Sequence, residues 1–171
     1  MSNSFTQKRS FRLVTGLVCG LAAATFGTGR AVLATPSSGF SSITSTASAV
    51  PEFALKTLGN VHPVRISTKG PSDVHVTTNV VLPGGTSGWH THPGPSIVVV
   101  KSGTATIYDG DDPSCTPQVY EAGSAFIDRG GGHVHVLRNE NSVNLETVAF
   151  QIVPAGATRR IDAPNPGYCG F

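Results

Sequence analysis

Two closely spaced pairs of histidines, each set in glycine-rich sequence, constrain the fold of this 171-residue chain more than any other feature. The first pair lies in His90-Thr91-His92 and the second in His133-Val134-His135. Side chains alternate between the two faces of a β-strand, so both histidines of a pair can point to one side. Because neutral imidazole is a common metal ligand, the pattern predicts a metal site assembled from two β-strands.

From residue 74 onward, the sequence predicts a succession of short strands separated by turns. Residues 80–82 are apolar and end at the turn cluster Pro83-Gly84-Gly85, and residues 96–101 form a nearly continuous β-branched run, as expected of a buried strand. His75 lies between two valines, so we place it on the polar outer face of its strand. No stretch after residue 34 shows the 3.6-residue apolar period of a helix. These features, with 20 Gly and 12 Pro, predict an all-β barrel or sandwich.

The first 34 residues have the features of an export signal. Lys8, Arg9 and Arg12 form a positively charged start, and residues 13–26 form an apolar run that is short for a membrane span. Residues 32–34 are small or modest in size, which predicts cleavage after Ala34. The sequence therefore predicts a protein exported to the periplasm or the medium.

This cleavage divides the chain into three predicted segments. Residues 1–34 are the signal peptide, residues 35–50 a flexible leader rich in Ser, Thr and Ala, and residues 51–171 a β-barrel domain with a C-terminal tail. Four of the 12 basic residues and none of the 10 acids lie in the signal. The mature part is therefore slightly acidic, which excludes the basic footprint of a nucleic-acid-binding protein.

The cysteines predict one disulfide. Cys19 lies within the signal, so the exported chain keeps only Cys115 and Cys169. Two cysteines in an oxidising compartment are expected to pair, whereas neither lies in a motif typical of a thiolate metal site. The bond would tie the C-terminal tail to the barrel.

The first histidine pair resembles motif one of the cupin family. That motif runs glycine, five residues, His-x-His, three or four residues, glutamate, six residues and glycine. Gly84, His90, His92, Ser96 and Gly103 match every spacing, but Ser96 stands where the family has glutamate.

Residues 123–139 resemble motif two of the same family. Gly132, His135 and Asn139 have the family spacing, whereas the first half of the motif carries one extra residue. His133 is additional to the motif. The resemblance extends over about residues 74–153 and implies a jelly-roll barrel, also called a double-stranded β-helix.

The resemblance also implies the site residues. The family's metal-binding histidines correspond to His90, His92 and His135, with His133 as a further candidate ligand. Three histidines with an open coordination position are typical of catalytic rather than structural sites. Zn, Fe(II), Mn, Ni and Cu all remain candidates for the metal.

Three classes of function are compatible with such a site. The first is a metal-dependent enzyme of the oxygenase, isomerase or decarboxylase type acting on a small organic molecule. The second is a non-catalytic protein of the cell envelope that binds metal or a small ligand, and the third is a structural barrel with no metal. We expect a small-molecule ligand, no nucleic-acid partner and no membrane span after cleavage, and a homodimer is compatible with the sequence.

Overall fold

Twelve β-strands make up the part of the chain that the computed structural model describes, residues 33–57 and 62–171. Within those ranges, no helix has the length and apolar character needed to cross a membrane. The predicted signal peptide falls outside them except for its last two residues, so it stays a prediction. The strands are β1 (Ser38–Val50), β2 (Ala54–Lys56), β3 (Arg65–Ser67), β4 (Ser72–Thr86), β5 (His90–Thr91), β6 (Ser96–Ser102), β7 (Thr104–Asp109), β8 (Gln118–Glu121), β9 (Ala125–Asp128), β10 (His135–Arg138), β11 (Leu145–Pro154) and β12 (Ile161–Asp162).

Ten of these strands form one antiparallel sheet that curls into a near-closed barrel. The sheet runs β12-β5-β10-β4-β11-β6-β9, with β1 added to β4 and the β7–β8 pair added to β10. Strands β2 and β3 form a separate two-stranded sheet. The predicted all-β jelly-roll barrel is therefore confirmed.

The segment predicted to be a flexible leader instead contains a long β-strand. β1 pairs with β4 from Ser38 opposite Thr86 to Val50 opposite Ser72. Its side chains are almost all exposed, so the strand has no apolar face that the sequence could reveal. Main-chain hydrogen bonds hold it in place, together with a cross-strand bond between the Thr44 and Thr77 hydroxyls (3.1 Å) and the half-buried ring of Phe40, which packs against the apolar core.

The inner and outer faces of two central strands also differ from the prediction. β6 is not buried on both sides, because Val98 and Val100 face the interior while Ile97 and Val99 are nearly half exposed. His75 was placed on the outer face but is only 7% exposed and lies inside the barrel. The reason is that the interior at the level of His75 contains polar groups around a cavity rather than an apolar core.

Two clusters of buried apolar side chains hold the barrel together. The larger one consists of Val81, Val100, Ala105, Ile107, Leu137 and Leu145. The second consists of Trp89, Tyr108, Val136, Ala163 and Cys169. Because burial of such side chains is the main favourable term in folding, these clusters form a rigid frame for the strands that carry the histidines.

The C-terminal tail packs against this second cluster and is held by a disulfide between Cys115 and Cys169, as the sequence predicted. Phe171 stacks on Trp89 with ring centroids 6.4 Å apart, and the Arg138 guanidinium lies 3.8 Å from the centre of the Phe171 ring. Since Trp89 directly precedes His90, the tail supports the strand that carries the first histidine pair.

Removing the disulfide is expected to lower the free energy of unfolding. The two cysteines are 54 residues apart in sequence, and for such a loop the chain-entropy relation gives an upper value of roughly 4 kcal/mol. Chemical denaturation of the Cys115→Ser, Cys169→Ser double variant measures the loss and leaves no free thiol to complicate refolding. Quantitative thiol labelling of the native, non-reduced protein would contradict the pairing.

Candidate metal centre

The three histidines of the family motifs meet inside the barrel. His90 in β5 pairs directly with His135 in β10, and His92 follows β5 immediately. The ring centroids are 4.4 Å apart for His90 and His135, 4.9 Å for His90 and His92, and 5.6 Å for His92 and His135. All three side chains are buried, and one nitrogen of each lies close enough to the others to share one metal ion.

Main-chain carbonyls orient two of these imidazoles. The Nδ1 of His90 donates to the Gly88 carbonyl (2.8 Å) and the Nδ1 of His92 to the Arg159 carbonyl (2.7 Å), which leaves each Nε2 free as a ligand. Gly88 has a φ of +69°, and a Cβ at this position would collide with the Thr35 carbonyl oxygen. Only glycine fits there, so the Gly-rich sequence before His90 has a direct role in orienting the ring.

Burial keeps the three imidazoles neutral. It is the largest cause of the lowered pKa of each, and it lowers the pKa of His90 well below its ordinary value and that of His92 to about 4. The Asp128 carboxylate partly opposes this effect at His92 and His135. Since a metal binds the neutral ring, the site is ready to bind metal at neutral pH.

The lowered pKa values predict that the metal-free protein loses stability on acidification. The unfolded chain binds protons to these rings near pH 6.5, whereas the folded protein binds them at lower pH, so stability is lost as pH falls below about 6.5. For His92, a folded pKa of about 4 corresponds to a loss of about 3 kcal/mol by pH 4. Urea titrations of metal-free protein between pH 7 and 4 measure the slope, and His92→Gln should reduce it. An unchanged slope in that variant would contradict the assignment.

A buried carboxylate that the sequence analysis did not identify lies beside the histidines. Asp128 ends β9 and pairs directly with Ser96 in β6, so it stands opposite the position of the family's glutamate. Its Oδ2 lies 3.7 Å from the Nε2 of His92, and its Oδ1 lies 3.7 Å from the Nδ1 of His135. The main-chain N–H of Gly130 (2.9 Å) and the hydroxyl of Ser96 (3.4 Å) donate to it.

His133 lies outside the three-histidine group. It precedes β10 in a turn, and its ring centroid is 6.0 Å from that of His135. Its Nε2 is 3.4 Å from the Asp109 carboxylate and 3.7 Å from that of Asp111, so the ring faces the acidic turn after β7. One nitrogen of His133 lies close enough to share an ion with Asp128 and His135, or with Asp109 and Asp111.

A cavity beside the histidines extends into the barrel. Its apolar lining is formed by Phe40, Val98, Ile107, Phe126, Leu137 and Ala149. Its polar lining includes Gln151, Arg159 and Arg160 in addition to the three histidines. The sequence does not associate Arg159 and Arg160 with the site, because both are far from the two motifs along the chain and reach the cavity through the turn after β11.

Comparisons with known proteins agree with this description. A family model described as the cupin domain matches residues 78–161. No curated protein matches the chain at a significant level.

Several solved structures are similar to parts of this chain. A protein with a double-stranded β-helix domain from Klebsiella pneumoniae is 19% identical over 66% of this chain and 84% of its own, with a TM-score of 0.43. The cupin domain of a transcriptional regulator from Enterobacter cloacae is 17% identical over 46% of this chain and 79% of its own (TM-score 0.38). An oxalate oxidase is 21% identical over 52% of this chain and 45% of its own (TM-score 0.42). Similarity of this extent supports no conclusion about activity. Residues 78–161 of this chain are thus a domain of the cupin family.

Proposed function

We propose that this protein is an exported cupin that holds one divalent transition metal through His90, His92 and His135 and acts on a small organic molecule. The observation that carries the proposal is the convergence of three buried, neutral imidazoles beside a cavity. Two of the rings are already fixed by main-chain carbonyls, so little reorganisation accompanies metal binding.

The residues present fit a metal of this class. Imidazole nitrogen suits Zn, Fe, Ni and Cu, and a mixed nitrogen and carboxylate set also suits Mn. The Nδ1 of His135 is buried and has no hydrogen-bond partner within the described residues, which is costly unless the site gains an ion or a proton. When bound, such a metal polarises a carbonyl or activates water or dioxygen.

We assign the carboxylate of the site to Asp128. Ser96 is a poor ligand, but the strand pairing places the Asp128 side chain directly opposite it. A separation of 3.7 Å between an Asp128 oxygen and the Nε2 of His92 is too long for a hydrogen bond. It is close to the roughly 3.4 Å between two ligands that each lie ~2.1 Å from one tetrahedral ion. Asp128 thus supplies from β9 the charge that the family's glutamate supplies from β6.

The cavity favours an enzyme over a closed structural metal site. A structural site is saturated by protein ligands, whereas a catalytic site keeps a position for water or substrate. Here the imidazoles border a cavity that also contains Gln151, whose buried amide has no hydrogen-bond partner within the described residues. A non-catalytic ligand-binding protein of the cell envelope is the alternative, because the same cavity could hold a ligand without turnover.

Elemental analysis of the purified protein tests the metal proposal, and the metal found narrows the reactions to be assayed. About one equivalent of a first-row transition metal per chain supports the proposal, and absence of binding to all five candidate metals would refute it. Turnover of small carbonyl or carboxylate compounds by the loaded protein separates the enzyme from the binding protein. The His90→Ala, His135→Ala double variant serves as the inactive control.

Export is proposed from the sequence and gives a separate prediction. Cleavage after Ala34 leaves Thr35 as the first residue, and Thr35 contacts the site region because its hydroxyl accepts the N–H of Trp89 (2.8 Å). N-terminal sequencing of protein recovered from the periplasm or the medium is expected to begin at Thr35. Recovery of the full-length chain in the membrane fraction would contradict the prediction.

A further inference from the structure

A row of buried polar side chains crosses the barrel beside the metal centre. Strand pairing places Asp128 opposite Ser96, Ser96 opposite Gln151, and Gln151 opposite His75, on four adjacent strands. All four residues are at most 7% exposed. A continuous polar row in a protein interior is costly unless its groups are satisfied, so its hydrogen-bond partners indicate its role.

The Asp128 end of this row is satisfied, His75 is satisfied only at its Nδ1, and Gln151 in the middle has no partner at either amide atom. Ser96 donates to Asp128 (3.4 Å), and the Nδ1 of His75 bonds with the hydroxyl of Thr46 (2.8 Å). The side chain of Gln151 is only 2% exposed, and neither its amide nitrogen nor its amide oxygen has a partner within the described part of the chain. Gln151 lines the cavity, so a ligand there that carries a hydrogen-bond acceptor could satisfy the amide nitrogen.

A half-buried arginine without a counter-ion borders the same cavity. Arg160 is engaged, because it donates to the Asp162 carboxylate (2.7 Å) and to the Ser87 carbonyl (2.6 Å). The guanidinium of Arg159 forms no salt bridge or hydrogen bond with residues 33–57 or 62–171, and burial lowers its pKa. A partly desolvated cation with no partner favours a site for an anion.

The surroundings of Arg159 place this charge next to the metal centre. Its own carbonyl accepts the hydrogen bond from His92. Burial is the largest cause of the lowered pKa of both His75 and His92, and the positive charge of Arg159 adds to the effect at both. The guanidinium therefore lies near His75 in the polar row and near His92 at the metal centre.

We propose that Arg159 and Gln151 bind the carboxylate group of a small organic acid next to the metal. A guanidinium presents a planar fork of N–H donors that matches a carboxylate, and the Gln151 amide supplies a further donor. One unpaired guanidinium matches one carboxylate, and the apolar walls at Val98 and Ala149 fit a short hydrocarbon part. This inference rests on the proposed function for the role of the metal, and it adds the substrate class.

Binding of propionate and of propionamide, which has the same shape without the charge, tests the proposal. Protein loaded with Co²⁺ is titrated with each compound and followed by its visible spectrum and by calorimetry. Propionate is expected to bind and propionamide to bind far more weakly. Arg159→Gln and Gln151→Leu should each weaken propionate binding by about 10- to 100-fold, with unchanged Co²⁺ content. Arg65→Gln is the matched control and should change the affinity by less than about threefold, since Arg65 is exposed in β3 and does not line this cavity.

Other outcomes would overturn the proposal. One such outcome is equal affinity of the wild type and of Arg159→Gln for propionate. Another is that the wild type binds propionamide as tightly as propionate. A third is that it binds inorganic phosphate more tightly than propionate. If Arg159→Gln does not fold, Arg159→Lys replaces it, since lysine keeps the charge but loses the fork and should also bind propionate more weakly. Calorimetry on metal-free protein, titrated separately with metal and with propionate, distinguishes the two proposals. Failure to bind metal would refute the proposed function. Binding of propionate that depends on Arg159 would still support the carboxylate site.

Discussion

Replacing His90 or His135 by alanine is expected to abolish stoichiometric metal binding and leave the barrel folded. The two residues face each other across the β5–β10 pair, so each change removes one ligand from the centre of the site. Loss of a residue that only supports a ligand typically weakens metal affinity 10- to 100-fold, and loss of a ligand itself should exceed about 100-fold. The barrel should survive because its apolar clusters do not include these histidines.

The measurement is metal content after dialysis, together with the melting temperature of the metal-free variants. His62→Ala is the matched control, because His62 is exposed and lies in neither motif. His133→Ala should have a much smaller effect, since its ring faces Asp109 and Asp111. Equal losses in His133→Ala and His135→Ala would contradict the three-histidine site and favour four histidines.

Removing the Asp128 carboxylate is expected to have the second largest effect on metal affinity. Asp128→Ala takes away a buried charge next to His92 and His135 and should weaken binding by about 100-fold, as for a ligand. Asp128→Asn keeps the shape and one acceptor oxygen, so it separates the loss of charge from the loss of a hydrogen bond. Isothermal titration of the metal-free variants with Zn²⁺ or Co²⁺ measures both.

Ser96→Glu gives an internal check on this assignment. In the Asp128→Ala background, glutamate at the family position should restore much of the affinity. In the wild-type background it should not tighten binding, because its carboxylate would lie beside that of Asp128 and the like charges repel. Tighter binding by Ser96→Glu alone, together with unchanged affinity in Asp128→Ala, would show that the carboxylate position is open in the wild type.

The sequence predicted the three histidines of the candidate site because they lie in short motifs whose spacing can be recognised along the chain. His90 and His92 are two residues apart on one short segment, and the glycines before them control how closely the backbone can approach. The motif spacing also placed His135 with them. The pairing of Cys115 with Cys169 followed from the number of cysteines left after the signal.

The groups around the histidines were not predicted because they depend on pairing between distant strands. Asp128 stands opposite Ser96 only in the register of β6 and β9, and Gln151 lies between Ser96 and His75 only in the register of β11. The same register explains why His75 faces the interior. The strand β1 was missed because its main-chain hydrogen bonds leave no periodic pattern in its side chains.

X-ray absorption spectroscopy of the metal-loaded protein tests the central claim most directly. We expect three imidazole ligands and at least one oxygen ligand in the wild-type protein, with Zn–N distances near 2.0–2.1 Å if the metal is Zn. His135→Ala should reduce the imidazole scattering of any residual bound metal, whereas His62→Ala should leave it unchanged. A spectrum with one imidazole ligand or none would contradict metal binding by His90, His92 and His135. The same conclusion would follow if the wild type and the His90→Ala, His92→Ala double variant gave the same spectrum.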